Sequence, residues 1–165
     1  CTAGLVFKLI HALIKRFRDD GDRDAHAFRV ADYLDRVAMG TVADLVRLQG
    51  ENRLLARQGL KRLERTQRPG INALFEAAGI DPTEGLEASD IGFRLGPRIN
   101  ASGRLADART PIDLLLASHY GDCFATAREL DAINRERQDI ERAIAEAAME
   151  QIERGPLRDA PGIVV

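Results

Sequence analysis

The chain has 165 residues, of which 45% are hydrophobic and 30% are charged, and its net charge is −2. This composition is typical of a soluble globular protein with one domain or parts of two, and it excludes a uniformly basic nucleic-acid binder. Two cysteines are too few for a disulfide framework, which favours the cytoplasm, and the three histidines lack the spacing of metal ligands.

Apolar residues recur at helical spacing along most of the chain, which predicts a mainly α-helical fold. Residues 2–18 predict an amphipathic core helix and not a signal peptide or a membrane segment, because basic residues interrupt the apolar run on one face. Further helices are predicted over residues 25–38, 52–64, 71–78, 90–95 and 112–118. Residues 161–165 predict a turn entering a strand, so we expect both ends to be cuts in a longer protein.

The last predicted helix is long, from Asp122 to Glu153. Its apolar positions lie toward both ends, while Asn134–Asp139 is a run of six polar residues. This pattern predicts a helix that leaves one packed unit and enters another, with its middle turn exposed or facing a cleft and both apolar ends packed. The alternative is a surface helix stabilised by charge pairs four residues apart.

The stretch Gly96–Arg104 concentrates turn residues and hydrogen-bond donors. Gly96 and Gly103 permit close approach of a ligand to the backbone, and Arg98, Asn100 and Arg104 carry donors that suit an anion such as phosphate. The stretch is therefore a candidate anion-binding loop. An ordinary connection between helices, with solvated arginines, remains the alternative.

Asp44 follows the small, mostly apolar run Met39–Ala43. A carboxylate presented by a well-packed element suits a metal ligand, but an isolated Asp is also a common cap or turn residue. Hard divalent cations need several oxygen or nitrogen ligands, and no paired carboxylates or histidine motif accompany Asp44 in the sequence. Asp44 alone cannot make a metal centre.

Basic residues dominate the stretch from Arg47 to Arg68, where seven basic and two acidic residues give a balance of +5. Four of them step by four residues along one predicted helix face: Arg53, Arg57, Lys61 and Arg65. The face could bind nucleic acid, or it could be the solvated side of an amphipathic helix, and no interleaved aromatic residue decides between the two.

Three motifs in this order resemble RecJ-type single-stranded-DNA-specific exonucleases of the DHH phosphoesterase superfamily. They are Met39–Asp44 followed by Gly50–Arg53, then Gly96–Arg104, then Glu129–Gln138. The resemblance covers nearly the whole chain, and the Gly96–Arg104 motif is the most specific of the three.

The resemblance implies hydrolysis of single-stranded DNA from its 5′ end by a two-metal site holding Mn²⁺ or Mg²⁺. Asp44 matches a metal-binding aspartate of the family, and Arg104, Arg98 and Asn100 match residues expected to hold substrate phosphate or the DNA end. The family implies a role in DNA repair and recombination in the bacterial cytoplasm. Its implied partners are single-stranded DNA and DNA-repair proteins, with no membrane association.

Other motifs of the family are missing from the sequence: an early Asp-rich motif, the Asp-His-His motif and a glycine-rich, His-containing motif. We therefore expect residues 1–120 to be the C-terminal part of an α/β DHH domain, 121–155 an interdomain helix, and 156–165 the first strand of a DHHA1-type domain. Such a piece should be inactive alone. The alternatives are a helical nucleic-acid-binding or protein-interaction module without catalysis, and a structural scaffold.

Overall fold

The computed structural model describes residues 1–105 and 107–154, with the side chains of residues 104 and 105 excepted. All regular structure within these ranges is helical, so the predicted mainly α fold is confirmed. The α-helices are α1 (Thr2–Asp19), α2 (Arg23–Ala27), α3 (Leu34–Ala43), α4 (Gly50–Leu63), α5 (Pro69–Ala78), α6 (Gly96–Leu105), α7 (Arg109–Leu116) and α8 (Cys123–Arg154). Short 3₁₀ turns occupy Val30–Tyr33 and Pro82–Glu84, and a π-helical turn occupies Asp90–Leu95. The strand predicted at 161–165 lies outside the described residues.

The core lies between α3, α4, α5, the π-helical turn and the first half of α8. Its largest fully buried side chains are aliphatic: Leu63, Ile71, Leu74, Ile91, Leu95 and Leu130. Removing such a side chain from water contributes about 1.5–3 kcal/mol. This packing holds α3 rigidly, and α3 ends at Asp44.

Helices α3 and α4 cross at Gly59, where the two backbones come into close contact. A Cβ atom at Gly59 would collide with the Leu34 carbonyl oxygen and the Ala38 Cβ atom. Only glycine fits this crossing, and the close approach fixes the position of α3 relative to α4.

The prediction of one continuous helix over residues 25–38 is wrong. The chain leaves helical geometry at Phe28 and Arg29, whose ψ angles are 122° and 92°. Arg18 stabilises the break, because its guanidinium donates to the carbonyl oxygens of Ala25 (2.8 Å) and Phe28 (2.6 Å). A cation that binds the last carbonyls of α2 ends that helix, and the chain resumes as α3.

The loop predicted over Gly96–Arg104 is also wrong, because α6 continues directly from the π-helical turn. Pro97 fits the first turn of a helix, where a backbone N–H would have no partner. Gly96 has helical angles (φ −54°, ψ −48°), and a Cβ there would lie 2.9 Å from the Ile91 carbonyl oxygen and 3.3 Å from the Ala43 Cβ. This glycine therefore lets α6 approach α3. The loop was predicted because residues common in turns are concentrated in this stretch.

Helix α1 is amphipathic as expected, but it is not a core helix. Leu5, Leu9 and Phe17 are 71%, 60% and 48% exposed, and Gly4 is its one buried residue. Its first turn meets α3, where Ala3 packs on Gly40, and its later turns contact α2 and the Val30–Tyr33 turn. An apolar stripe indicates that a helix face needs a partner, and it does not require that partner to lie in the same segment.

Helix α8 matches the predicted long helix closely. Its first half packs through Ala127, Leu130 and Asn134, which are fully or almost fully buried. Ile140, Ile144 and Met149 in its second half are exposed, so the C-terminal apolar end does not pack within the described ranges. The expected packing of that end against a second unit stays a prediction.

Candidate functional site

Asp44 caps the C-terminal end of α3, and its side chain is exposed. Its backbone N–H donates to the Gly40 carbonyl oxygen at 3.1 Å, which closes the last turn of the helix. The run Met39–Ala43 is helical because its small and apolar side chains pack into the core. A carboxylate at the negative end of a helix dipole costs about 0.3–1 kcal/mol. A nearby cation would relieve that cost, so the placement favours a functional carboxylate.

Asp44 and Asn100 line the same cleft, although they are distant in sequence. The cleft has a volume of about 430 Å³, and Arg36, Gly40 and Gly96 also line it. Asn100 projects from α6 and is exposed, and α6 reaches this position because Gly96 permits its close packing on α3. The structure thus brings together two of the residues that the sequence singled out.

Arg98 points away from this cleft and is held in a buried ion pair. Its Nε and Nη2 atoms lie 2.9 and 2.8 Å from Oδ1 of Asp131, and the two side chains are 15% and 10% exposed. Its Nη1 donates to the Arg94 carbonyl oxygen at 2.6 Å. The other carboxylate oxygen of Asp131 forms an ion pair with Arg135 Nη2 at 2.7 Å. All three nitrogens of Arg98 are therefore engaged inside the protein, and the side chain joins α6 to α8.

Arg104 lies on α6, but its side chain is outside the described part of the structure. Gly103 beside it is exposed, and a Cβ added there would meet no described atom within 4 Å. This glycine faces open space, unlike Gly96.

Two arginines near the cleft were not anticipated from the sequence. Arg36 of α3 donates to the Leu115 carbonyl oxygen at 2.7 Å, while its Nε is buried with no hydrogen-bond partner in the described ranges. Burial, and then the positive charge of Arg68, lower the pKa of Arg36 below its ordinary value. Arg137 of α8 donates to Glu141 at 2.6 Å and to the buried Asn134 side chain at 3.0 Å.

Arg137 and Glu141 line a second, smaller cleft of about 200 Å³ that shares Gly96 and Asn100 with the Asp44 cleft. The polar run Asn134–Asp139 was expected to be exposed or to face a cleft. Arg137 does face one and residues 135, 136, 138 and 139 are exposed, but Asn134 is buried. Arg36 carried no signal in the sequence, because one arginine on an amphipathic helix is ordinary.

No cluster of three or more His, Cys, Asp or Glu side chains that could hold a metal is present in residues 1–105 and 107–154, side chains 104 and 105 excepted. Asp44 can supply one carboxylate ligand, and the Asn100 amide oxygen is a second hard donor on the same cleft. The described residues fit a contribution to a metal site and do not complete one. Among the described helices, none combines the length and hydrophobicity that a bilayer span requires.

The sequence is similar to known exonucleases over most of its length. It is 44% identical over 158 residues to the single-stranded-DNA-specific exonuclease RecJ of Salmonella typhimurium, covering 92% of this chain and 27% of that protein. It is 39% identical over 162 residues to the Bacillus subtilis protein of the same name, covering 98% of this chain and 19% of that one. No family model matches the chain.

Solved RecJ structures share the fold. RecJ of Thermus thermophilus in complex with Mn²⁺ superposes with a TM-score of 0.69 at 32% identity, over 81% of this chain and 20% of that one. An exonuclease RecJ bound to manganese superposes with a TM-score of 0.66 at 36% identity, over 73% of this chain and 30% of that one. The chain spans about a quarter of the Salmonella relative's length.

Proposed function

The chain belongs to the RecJ family, and from that premise we propose that it forms part of an enzyme that hydrolyses phosphodiester bonds of single-stranded DNA from the 5′ end. The observation that carries the proposal is the meeting of Asp44 and Asn100 on one cleft, each at a position where the sequence resembles the family. The enzyme would act in DNA repair and recombination in the cytoplasm, with DNA-repair proteins as further partners.

Asp44 is the residue of this chain that would hold a metal ion. Its carboxylate is exposed at the end of a packed helix, and a cation bound there would offset its unfavourable interaction with the helix dipole. Mn²⁺ or Mg²⁺ in the completed site would polarise the phosphodiester and activate water. The remaining ligands would come from outside the described residues.

Asn100 and Arg104 would position the DNA, both from α6. The Asn100 amide can donate to a phosphate oxygen at the cleft, and the Arg104 guanidinium can bind phosphate in a bidentate fork. The contacts of Arg98 with Asp131 and the Arg94 carbonyl oxygen favour a structural role, and not the phosphate binding expected from the sequence. Its ion pair with Asp131 would hold α6 at the angle that presents Asn100 to the cleft.

The predicted domain organisation is part of the proposal. Residues 1–120 would complete a DHH domain, 121–155 would link it to a second domain, and 156–165 would begin that domain. The exposed apolar faces of α1 and of the second half of α8 support this organisation, because each needs a partner surface.

A segment exchange tests the proposed function. The matched segment of the Salmonella typhimurium RecJ is replaced by this chain, and release of nucleotides from 5′-labelled single-stranded DNA is measured with Mn²⁺. We expect chelator-sensitive hydrolysis with a preference for single strands over duplex. A deletion of the same segment serves as the inactive control. A chimera that folds, as judged by circular dichroism and gel filtration, but hydrolyses no DNA would contradict the proposal.

The second candidate function is a helical nucleic-acid-binding module without catalysis. The observation that favours it is the basic surface of α4, where Arg53, Arg57 and Lys61 are exposed. A folded, inactive chimera that still binds single-stranded DNA would support this candidate over the first.

A further inference from the structure

A row of cations runs along α4 and just past its end. We call it the basic row: Arg53, Arg57 and Lys61 on the helix, and Arg65 in the turn that follows. Successive members on the helix are about 6 Å apart along its axis, because four residues rise about 1.5 Å each. The row is long enough to meet several phosphates of one extended strand.

The members of the basic row differ from the other cations of this region in their surroundings. All four are exposed, and in the described part of the chain none lies within 4.0 Å of a carboxylate. By contrast, Arg62 pairs with Asp32, and Arg68 pairs with the buried Asp35 at 2.7 Å. The structure thus neutralises the inward-facing cations and leaves the outward row uncompensated.

The basic row leads into a pocket of about 860 Å³ between α3, α4 and α7. We call it the basic pocket, and its charged lining consists of Asp32, Asp35, Arg36, Lys61, Arg62, Arg65 and Arg68. Both carboxylates are already engaged by arginines, so the pocket presents an excess of positive charge. Thr66, Gln67 and Ser118 add neutral hydrogen-bonding groups.

The basic pocket and the Asp44 cleft share one lining side chain. Arg36 lines both cavities, and it lies two turns before Asp44 on α3, about 12 Å along the helix axis. Arg36 therefore places part of one basic side chain at each of the two cavities.

We propose that the basic row and the basic pocket bind the phosphate backbone of single-stranded DNA that extends from the Asp44 cleft. The choice of nucleic acid over an acidic protein segment rests on the proposed function. It is also favoured by the even spacing of the uncompensated cations, which suits the repeated charge of a phosphate backbone. Binding through phosphates alone carries no base preference.

The test measures binding of a fluorescein-labelled oligothymidylate to the 165-residue chain by anisotropy over a range of salt concentrations, without divalent metal. The test variant is R53Q/R57Q/K61Q/R65Q. The control variant changes net charge equally, at exposed arginines that already pair with acids: R109Q/R128Q/R142Q/R154Q. Circular dichroism verifies the helix content of each variant. The same substitutions are measured in the Salmonella chimera with Ca²⁺, so that folding of the isolated chain is not required.

We expect the slope of log affinity against log salt to fall by roughly 3 in the test variant, since each phosphate contact on a single strand contributes about 0.7. The control variant should keep nearly the original slope, and oligothymidylate and oligodeoxyadenylate should respond alike. Equal slopes for both variants would overturn the proposal. Equally tight, equally α4-dependent binding of a poly-glutamate peptide would overturn it in favour of an acidic protein partner. Since no catalysis is measured, an inactive chimera with intact α4-dependent binding would reject the nuclease and retain this surface.

Discussion

Replacing Asp131 with Ala should destabilise this chain far more than replacing any surface carboxylate. Asp131 accepts two contacts from Arg98 inside the protein and one from Arg135. Without the carboxylate, Arg98 keeps its hydrogen bond to the Arg94 carbonyl oxygen but remains a charge that is only 15% exposed.

The magnitude follows from this burial. Breaking a buried ion pair by removing one partner costs about 3–5 kcal/mol, because the remaining charge is uncompensated. The pair with Arg135 adds little, since that arginine is 72% exposed and such i,i+4 pairs contribute about 0.3–0.5 kcal/mol. Asp139, whose pair with Arg142 is exposed on both sides, is the matched control and should cost less than about 1 kcal/mol when changed to Ala.

Urea unfolding followed by circular dichroism at 222 nm measures both free energies of unfolding. The double variant Asp131→Ala/Arg98→Met should recover part of the loss, because the uncompensated charge is gone, and a double-mutant cycle should give a coupling energy of about 1–3 kcal/mol. A cost for Asp131→Ala equal to that of the Asp139 control, with no coupling to Arg98, would refute the reasoning.

Four further outcomes are expected. Gly59→Ala should destabilise by roughly 3 kcal/mol in the same assay, because its Cβ would strike the Leu34 carbonyl oxygen. Gly103→Ala should raise the free energy of unfolding by about 0.5–1 kcal/mol, because a Cβ there meets no described atom within 4 Å. A Gly59 variant that is more stable than the Gly103 variant would contradict the close crossing of α3 and α4. Amide hydrogen exchange should be faster over residues 139–154 than in the first half of α8, because residues 139–154 are mostly exposed. Uniform protection along α8 would show that its second half packs against a further surface. The isolated chain should release no nucleotides from single-stranded DNA with Mn²⁺, and chelator-sensitive release would show a complete site within it.

Helix positions were largely predictable from the sequence, because apolar spacing reports which face a segment buries. The long helix α8 and the end of α5 at residue 78 both followed from such local signals. The prediction of a loop at Gly96–Arg104 was wrong because glycine is compatible with two kinds of local structure. It permits turns, and it also permits two helices to touch, as Gly96 does against α3.

The candidate site was predictable only in part. Asp44 and Asn100 carried a signal as residue types, and the structure supplies their meeting on one cleft. The internal role of Arg98 depends on a partner 33 residues away on α8, which no local pattern encodes. Arg36 joins two cavities through tertiary packing alone, so the sequence could not reveal it.

The most direct test of the proposed nuclease function is Asp44→Asn in the Salmonella chimera. The amide keeps the shape of the side chain and removes the charge that would hold the cation, so we expect turnover of single-stranded DNA at saturating Mn²⁺ to fall by about 100-fold or more. DNA affinity in Ca²⁺ should stay close to that of the unchanged chimera, and Asp139→Asn should leave turnover unaffected. Turnover of the Asp44 variant equal to that of the Asp139 control would mean that Asp44 serves only as the C-terminal cap of α3.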